Sequence, residues 1–255
     1  MIELINLTKK FANLTAVDNL NLKIATGETF GFLGPNGAGK TTTIKMMVGL
    51  LKPTVGTVII DGKDIAQEPQ EVKKIIGYIP DRSFLYEKLT AREFLQFVAG
   101  IFGFTKKECS GKINSLLRLF DIEEWGDELI ESFSQGMRQR LVLSSALIHN
   151  PKVIIVDEPV VGLDPKGSRL VKTVFKNLTH AGVTVFLSTH VLGIAEELCD
   201  RIAIIQEGKM IALGTMDELQ NKVNSKDQGL ESLFLRLTGG EEVSESIDGL
   251  KLPVR

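Results

Sequence analysis

A chain of 255 residues is long enough for one large α/β domain, or for a core with a smaller subdomain attached. Hydrophobic residues make up 43% and charged residues 24%, so a sizeable buried core is expected; 30 basic against 32 acidic side chains argue against a nucleic-acid surface as the main business. Cys109 and Cys199 have no CxxC spacing and no His nearby in sequence, which predicts reduced thiols without a metal role.

The first 35 residues read as short strands: "IELINLT" and "LNLKIA" alternate, and "TFGFLG" is an apolar run ending in glycine. No apolar run reaches roughly 18 residues, the length needed to cross a bilayer. "MIELINLTKKF" alternates and carries charge, unlike a signal peptide. A soluble protein is expected, with the sequons at Asn6, Asn13 and Asn177 read as chance matches. A helix is predicted over residues 39–50, then a turn at "KPTVG" and a strand "TVIIDG". Between residues 90 and 120 the apolar spacing changes to steps of three and four, in "TAREFLQFVAGIFG" and "CSGKINSLLRLFDI". "ESFSQGMRQRL" starts a further helix that runs to about residue 149, where "NP" stops it.

"KVIIVDEP" is a continuous apolar run ending in acids, as suits a buried parallel strand. A helix over 167–180, a strand "VTVFLST", a helix over 191–198, a strand "RIAIIQ" and a hairpin-like "EGKMIALG" follow. Strands alternating with helices predict an α/β fold around a mostly parallel sheet covered on both faces. Residues 1–82 and 150–215 are expected to form the sheet-based core and 83–149 a helical insertion, all within one domain over 1–239. The remainder, 240–255, is acidic, polar and expected to be mobile.

"GPNGAGKT" fits G-x-x-x-x-G-K-[ST] between a predicted strand and a predicted helix. Gly34, Pro35, Asn36, Gly37, Ala38 and Gly39 would curl so that backbone N–H groups face one phosphate cluster. Lys40 would reach the β- and γ-phosphates, the Thr41 hydroxyl would ligate Mg²⁺, and Thr42 is a further nucleotide contact. A glycine-rich turn without a ligand is the bland alternative, and the flanking strand and helix argue against it. Asp157 ends the strand "VIIVD" and would hold the magnesium shell through water, while Glu158 beside it would orient or deprotonate an attacking water; acids decorating a helix N-terminus are the bland alternative. His190 lies at the carboxyl end of "VTVFLST", where ligands gather in parallel sheets. His149 and His180 sit at predicted helix C-termini and are expected only to complement the helix dipole.

"ESFSQGMRQRL" poses a question. Ser134 and Gly136 at a helix start make a second phosphate-facing site, in a chain that already has one.

Taken in order, the phosphate loop, the Ser-x-Gly helix start, "VIIVDEP", "VGLDP" and "STH" closely resemble the ATP-binding subunits of ABC transporters, from Met1 to about Gly239. The resemblance implies a P-loop ATPase core with an N-terminal antiparallel β subdomain and an inserted helical subdomain. It makes residues 34–41 the Walker A loop, 153–158 the Walker B strand with Glu158 catalytic, 134–137 the signature and His190 the switch histidine. Residues 162–165 match the D-loop, and Phe11 falls where an aromatic stacks on adenine. It further implies a head-to-tail pair of ATPase subunits in which Ser134 and Gly136 bind the partner's γ-phosphate, with Gln135 between them in the same nucleotide site. That would answer the question of the second site. Two positions depart from the pattern. Gln135 replaces a glycine of the signature, and Asp81 stands where a glutamine contacts the metal.

The expected function is ATP hydrolysis with ATP and Mg²⁺, driving transport, with export favoured, through separate membrane permease subunits. The expected location is the cytoplasmic face of the membrane, with no nucleic acid partner. "LESLFLRLTGG" matches the closing helix of exporter-type ATPases by resemblance. A soluble ABC ATPase acting on another partner and a nucleotide-binding regulatory module remain the alternatives.

Overall fold

A computed structural model describes residues 1–82, 84–158, 163–222 and 229–239. Gly162 of the D-loop and the acidic segment 240–255 lie outside the described residues.

In chain order the strands are β1 (Ile2–Phe11), β2 (Leu14–Ile24), β3 (Thr29–Leu33), β4 (Val55–Ile60), β5 (Lys63–Asp64), β6 (Ile76–Ile79), β7 (Val153–Asp157), β8 (Thr184–Thr189), β9 (Arg201–Gln206) and β10 (Lys209–Gly214). They make two sheets. One is antiparallel, of order β2-β1-β4-β5; the other has order β10-β9-β3-β8-β7-β6 and is parallel except for the β9–β10 hairpin.

The second sheet is buried on both faces, which explains its unbroken apolar strands. Val153 and Ile155 of β7 face a core shared with Phe30, Phe32 and Phe186. Ile154 and Val156, one residue out of phase, face the core that holds Val185 and Leu187. Three rings interlock on the first side: Phe30 and Phe186 stack with centroids 6.0 Å apart, and Phe32 tilts against Phe186 at 5.3 Å.

The helices are α1 (Lys40–Met47), α2 (Pro69–Lys73), α3 (Ala91–Ile101), α4 (Lys106–Leu119), α5 (Gln135–Leu147), α6 (Pro165–His180), α7 (Leu192–Leu198), α8 (Met216–Lys222) and α9 (Leu230–Thr238). Leu95 of α3, Ile113 and Leu117 of α4 and Leu141 of α5 share one core, and this burial is the source of the three-and-four spacing. Capping boxes at Thr90 with Glu93 and at Thr105 with Glu108 start α3 and α4. The Thr105 cap starts α4 before Cys109, where the apolar spacing alone begins. Asp164 caps α6 by accepting from the Gly167 amide at 2.9 Å, so that helix also starts earlier than its apolar pattern. In α9, Leu230 and Leu233 are buried against Ile202 and Ile204. No described helix is long and apolar enough to cross a membrane.

His149 corrects an expectation. It does not complement the helix dipole as a cation. Its Nε2 lies 3.0 Å from the Ile76 carbonyl, and its ring stacks on Phe102 at 3.7 Å. Burial, with Lys112 nearby, pushes its pKa down to about 4, against the pull of the Ile76 bond, so the imidazole is neutral. It pins the end of α5 to β6 as a packing group.

Candidate active site

The phosphate loop connects β3 to α1 and is wedged between two other strands. A Cβ on Gly34 would come within 2.4 Å of the Ile205 carbonyl oxygen. Gly39 has φ +105, and a Cβ there would come within 2.4 Å of the Ala16 carbonyl oxygen. Only glycine lets the loop sit this close to β9 and β2. The Ala38 amide donates to the Pro35 carbonyl at 3.2 Å, and the Gly208 amide donates to the Ala38 carbonyl at 3.0 Å. The turn of the β9–β10 hairpin therefore braces the loop from behind.

Lys40 opens α1 and folds back over the loop, its ammonium donating to the carbonyls of Gly34 at 2.7 Å and Pro35 at 3.1 Å. Burial lowers its pKa while the charges of Glu158 and Asp157 raise it. The Thr41 hydroxyl donates to Asp157 Oδ2 at 2.9 Å. Asp157, at the end of β7, is almost fully buried, and that burial raises its pKa against the Thr41 hydrogen bond. A buried carboxylate beside a hydroxyl is an arrangement that a hard cation with oxygen ligands would relieve. Among the described residues no group of three or more His, Cys, Asp or Glu side chains is placed to hold a metal alone. A Mg²⁺ that takes one or two protein oxygens and completes its shell with phosphate and water suits this donor set.

Glu158 follows in the left-handed region, at φ 57, with its amide donating to the Ser188 carbonyl at 2.9 Å. Its carboxylate reaches the end of β8. Oε1 accepts from the His190 amide at 3.0 Å and lies 2.7 Å from His190 Nδ1, while Oε2 accepts from the Thr189 hydroxyl at 3.2 Å. A carboxylate at Nδ1 sets a proton on that nitrogen, so the imidazole donates to Glu158.

These groups converge on one cleft of about 800 Å³, lined by Phe11, Asn36, Gly37, Gly39, Lys40, Thr41, Thr42, Asp81, Asp157, Glu158 and His190. Gly34, Pro35 and Ala38 contribute to the loop behind it. Phe11 is 45% exposed at the mouth, with the Lys9 ammonium 5.1 Å from its ring centroid. Leu14, Thr15, Ala16, Glu207 and Gly208 also line the cleft and were missed by sequence reasoning. Leu14, Thr15 and Ala16 open β2 and Glu207 and Gly208 form the β9–β10 turn, with no motif of their own.

Ser134, Gln135 and Gly136 lie elsewhere. With Met137, Arg140 and Asp164 they line a separate pocket of about 390 Å³. Ser134 caps α5, its Oγ accepting from the Met137 amide at 3.3 Å. Arg140 holds Asp164 at 3.3 Å, which brings the described end of "VGLDP" to the signature helix. Among the described residues the two pockets share no lining residue.

A glycine-wedged loop with Lys and Thr at a helix start, facing a buried acid at a parallel strand end, defines a P-loop nucleotide-binding ATPase. The comparisons narrow this class. A sequence profile described as "ABC transporter" matches residues 17–161. The linearmycin resistance ATP-binding protein LnrL of Bacillus subtilis (strain 168) is 38% identical over 223 residues, covering 88% of this chain and 72% of that protein. A solved ATP-binding subunit of an ABC transporter superposes with TM-score 0.88 at 31% identity, covering 93% of this chain and 99% of that one. The dimeric post-hydrolysis structure of the cassette MJ0796 with ADP and Pi superposes with TM-score 0.78 at 27% identity, covering 85% and 99%. The chain belongs to the ABC transporter family, as an ATP-binding, ATP-hydrolysing subunit.

Proposed function

We propose that this cassette powers export through separate membrane permease subunits, as one half of a head-to-tail pair that closes on two ATP molecules. One observation carries the reading. Among the described residues the phosphate cleft and the signature pocket share no lining residue, which supports Ser134 serving a phosphate other than the one beside its own Lys40. A helix start with free N–H groups caps a phosphate well, and a γ-phosphate held from both sides joins two surfaces that part after hydrolysis. The resistance protein among the relatives favours export.

In this reading residues 1–239 act as one ATPase domain with 240–255 appended. Phe11 stacks on adenine. The loop N–H groups, Thr42 and Lys40 bind the phosphates, the Lys40 ammonium exchanging carbonyl partners for phosphate oxygens. Thr41 and Asp157, with Asp81 in place of the usual glutamine, would hold Mg²⁺, which would supply charge neutralisation to the bound triphosphate. Glu158 takes a proton from a water as its oxygen bonds to Pγ. The bond to the β,γ-bridging oxygen breaks, and its electron pair leaves on ADP. His190 holds Glu158 through Nδ1 at the γ-phosphate end of the cleft. Ser134 and Gly136 of the opposing cassette stabilise the developing charge.

The permease docks on the exposed apolar strip after Asp81. Phe84 is 82% exposed, and Tyr86 meets Phe97 edge-on at 5.4 Å, with Ile101 one turn further along α3. Docking there would hold the subunit on the cytoplasmic face of the membrane. The test is to express tagged Glu158→Gln protein, solubilise membranes with detergent in the presence of ATP, and identify what co-purifies. A multi-span hydrophobic protein in stoichiometric amount is expected. Ribosomes, or no membrane protein, would contradict the transport reading.

A further inference from the structure

We infer that Thr189 is a positioning residue for hydrolysis: its hydroxyl turns the Glu158 carboxylate so that Oε2, and not Oε1, takes the proton from the attacking water. The inference rests on reading Glu158 as the base.

Thr189 is the last residue of β8 and is fully buried. Its Oγ1 accepts a hydrogen bond from the Val191 amide at 3.0 Å, at the start of α7. That bond turns the hydroxyl proton away from Val191, and Glu158 Oε2 lies in its path at 3.2 Å. The donor and acceptor roles are thus fixed by geometry.

The other oxygen is already saturated. Oε1 takes the His190 amide at 3.0 Å and Nδ1 at 2.7 Å. An ionised carboxylate offers about four lone-pair sites. Two on Oε1 and one on Oε2 are used, so the remaining one is on Oε2. The Glu158 side chain is 15% exposed and lines the phosphate cleft, where an attacking water would reach it.

Thr189 adds a second anchor to those from His190. The last torsion of a glutamate is broad and its two oxygens turn together, so a bond at Oε2 narrows the rotation that the bonds at Oε1 limit. The backbone supports the same placement. Glu158 sits in the left-handed region at φ 57 and is tied to Ser188, the residue before Thr189. The end of β8 therefore holds both the backbone and the carboxylate of Glu158. As the water oxygen bonds to Pγ, its proton passes to Oε2 and the bridging bond breaks toward ADP.

The experiment compares Thr189→Val, which keeps the shape and removes the hydroxyl, with Thr189→Ser, which keeps the hydroxyl. Steady-state hydrolysis and ATP affinity are measured for both, alone and combined with Glu158→Gln. Thr189→Val is expected to lower kcat by about 10-fold or more with ATP affinity unchanged. Thr189→Ser should stay within about 2-fold of the parent. In the Glu158→Gln background, Thr189→Val should cost nothing further, because the two act as one unit. A Thr189→Val protein with parental kcat, or one whose loss persists in full in the Glu158→Gln background, overturns the inference. Parental hydrolysis by Glu158→Gln alone would instead remove Glu158 as the base, a separate failure.

Discussion

The phosphate cleft and the signature pocket both end on a helix start, yet they differ in what surrounds it. The first places a lysine, a threonine hydroxyl, a buried aspartate, a glutamate and a histidine around the α1 start, drawn from α1 itself and the ends of β7 and β8. The second has about half the volume and offers a cap serine, a glycine and the Arg140–Asp164 pair. One brings a threonine hydroxyl and two adjacent carboxylates together. Among the described residues the other has hydrogen-bond donors and no counterpart of the Asp157–Glu158 pair. The difference suits a divided site, in which one surface carries the chemistry and the other completes it from across an interface.

Breaking the chemical half should have the largest effect. Glu158→Gln is expected to lower kcat by more than about 100-fold while ATP still binds, so ATP-dependent dimers accumulate; phosphate release and light scattering read the two outcomes. The sharpest contrast comes next. Lys40→Ala should weaken ATP binding by the isolated chain about 10-fold or more, through loss of a charge-assisted contact. Ser134→Ala should leave that single-chain affinity unchanged and lower only the concentration-dependent hydrolysis, again by about 10-fold. Equal losses of single-chain affinity would erase the distinction between the two pockets.

A smaller effect is expected at Asp81, which lines the cleft near Asp157 and Tyr78. Asp81→Asn removes a carboxylate from the proposed metal site and should raise the Mg²⁺ concentration for half-maximal hydrolysis by about 3-fold. The smallest effect concerns the far end of the signature helix. His149 is neutral in the fold because burial holds its pKa near 4, against an ordinary 6.5. The unfolded chain takes up a proton that the folded chain refuses. Stability is therefore full above about 6.5 and falls as pH falls toward about 4. Denaturant midpoints for His149→Gln should depend less on pH across that window than those of the parent.

The legible parts of the site are those where local backbone geometry dictates residue type. Gly34 and Gly39 had to be glycine because carbonyl oxygens of Ile205 and Ala16 occupy the space of a Cβ. The strand "VIIVD" read as buried because both its faces are covered. Less legible were contributions assembled by distant pairing. Leu14, Thr15, Ala16, Glu207 and Gly208 reach the cleft only because the β9–β10 turn packs against β2 and the loop, through the Gly208–Ala38 and Asp18–Gly208 bonds. Nothing in their local pattern signals a ligand. The short helix α2 buries only Val72 and carries too little periodicity to be read. His149 was misread because sequence places it near a helix end without telling that Phe102 and the Ile76 carbonyl enclose it.

The central claim is that the nucleotide bound beside Lys40 of one chain is completed by Ser134 of another. The direct measurement mixes two chains, one carrying Lys40→Ala and the other Ser134→Ala, and follows ATP hydrolysis against the mixing ratio. A mixed dimer contains one intact composite site, so activity should rise above that of either variant and peak near equal amounts. If the mixture follows the weighted average of the two variants at every ratio, the two pockets do not act across an interface between copies of this chain.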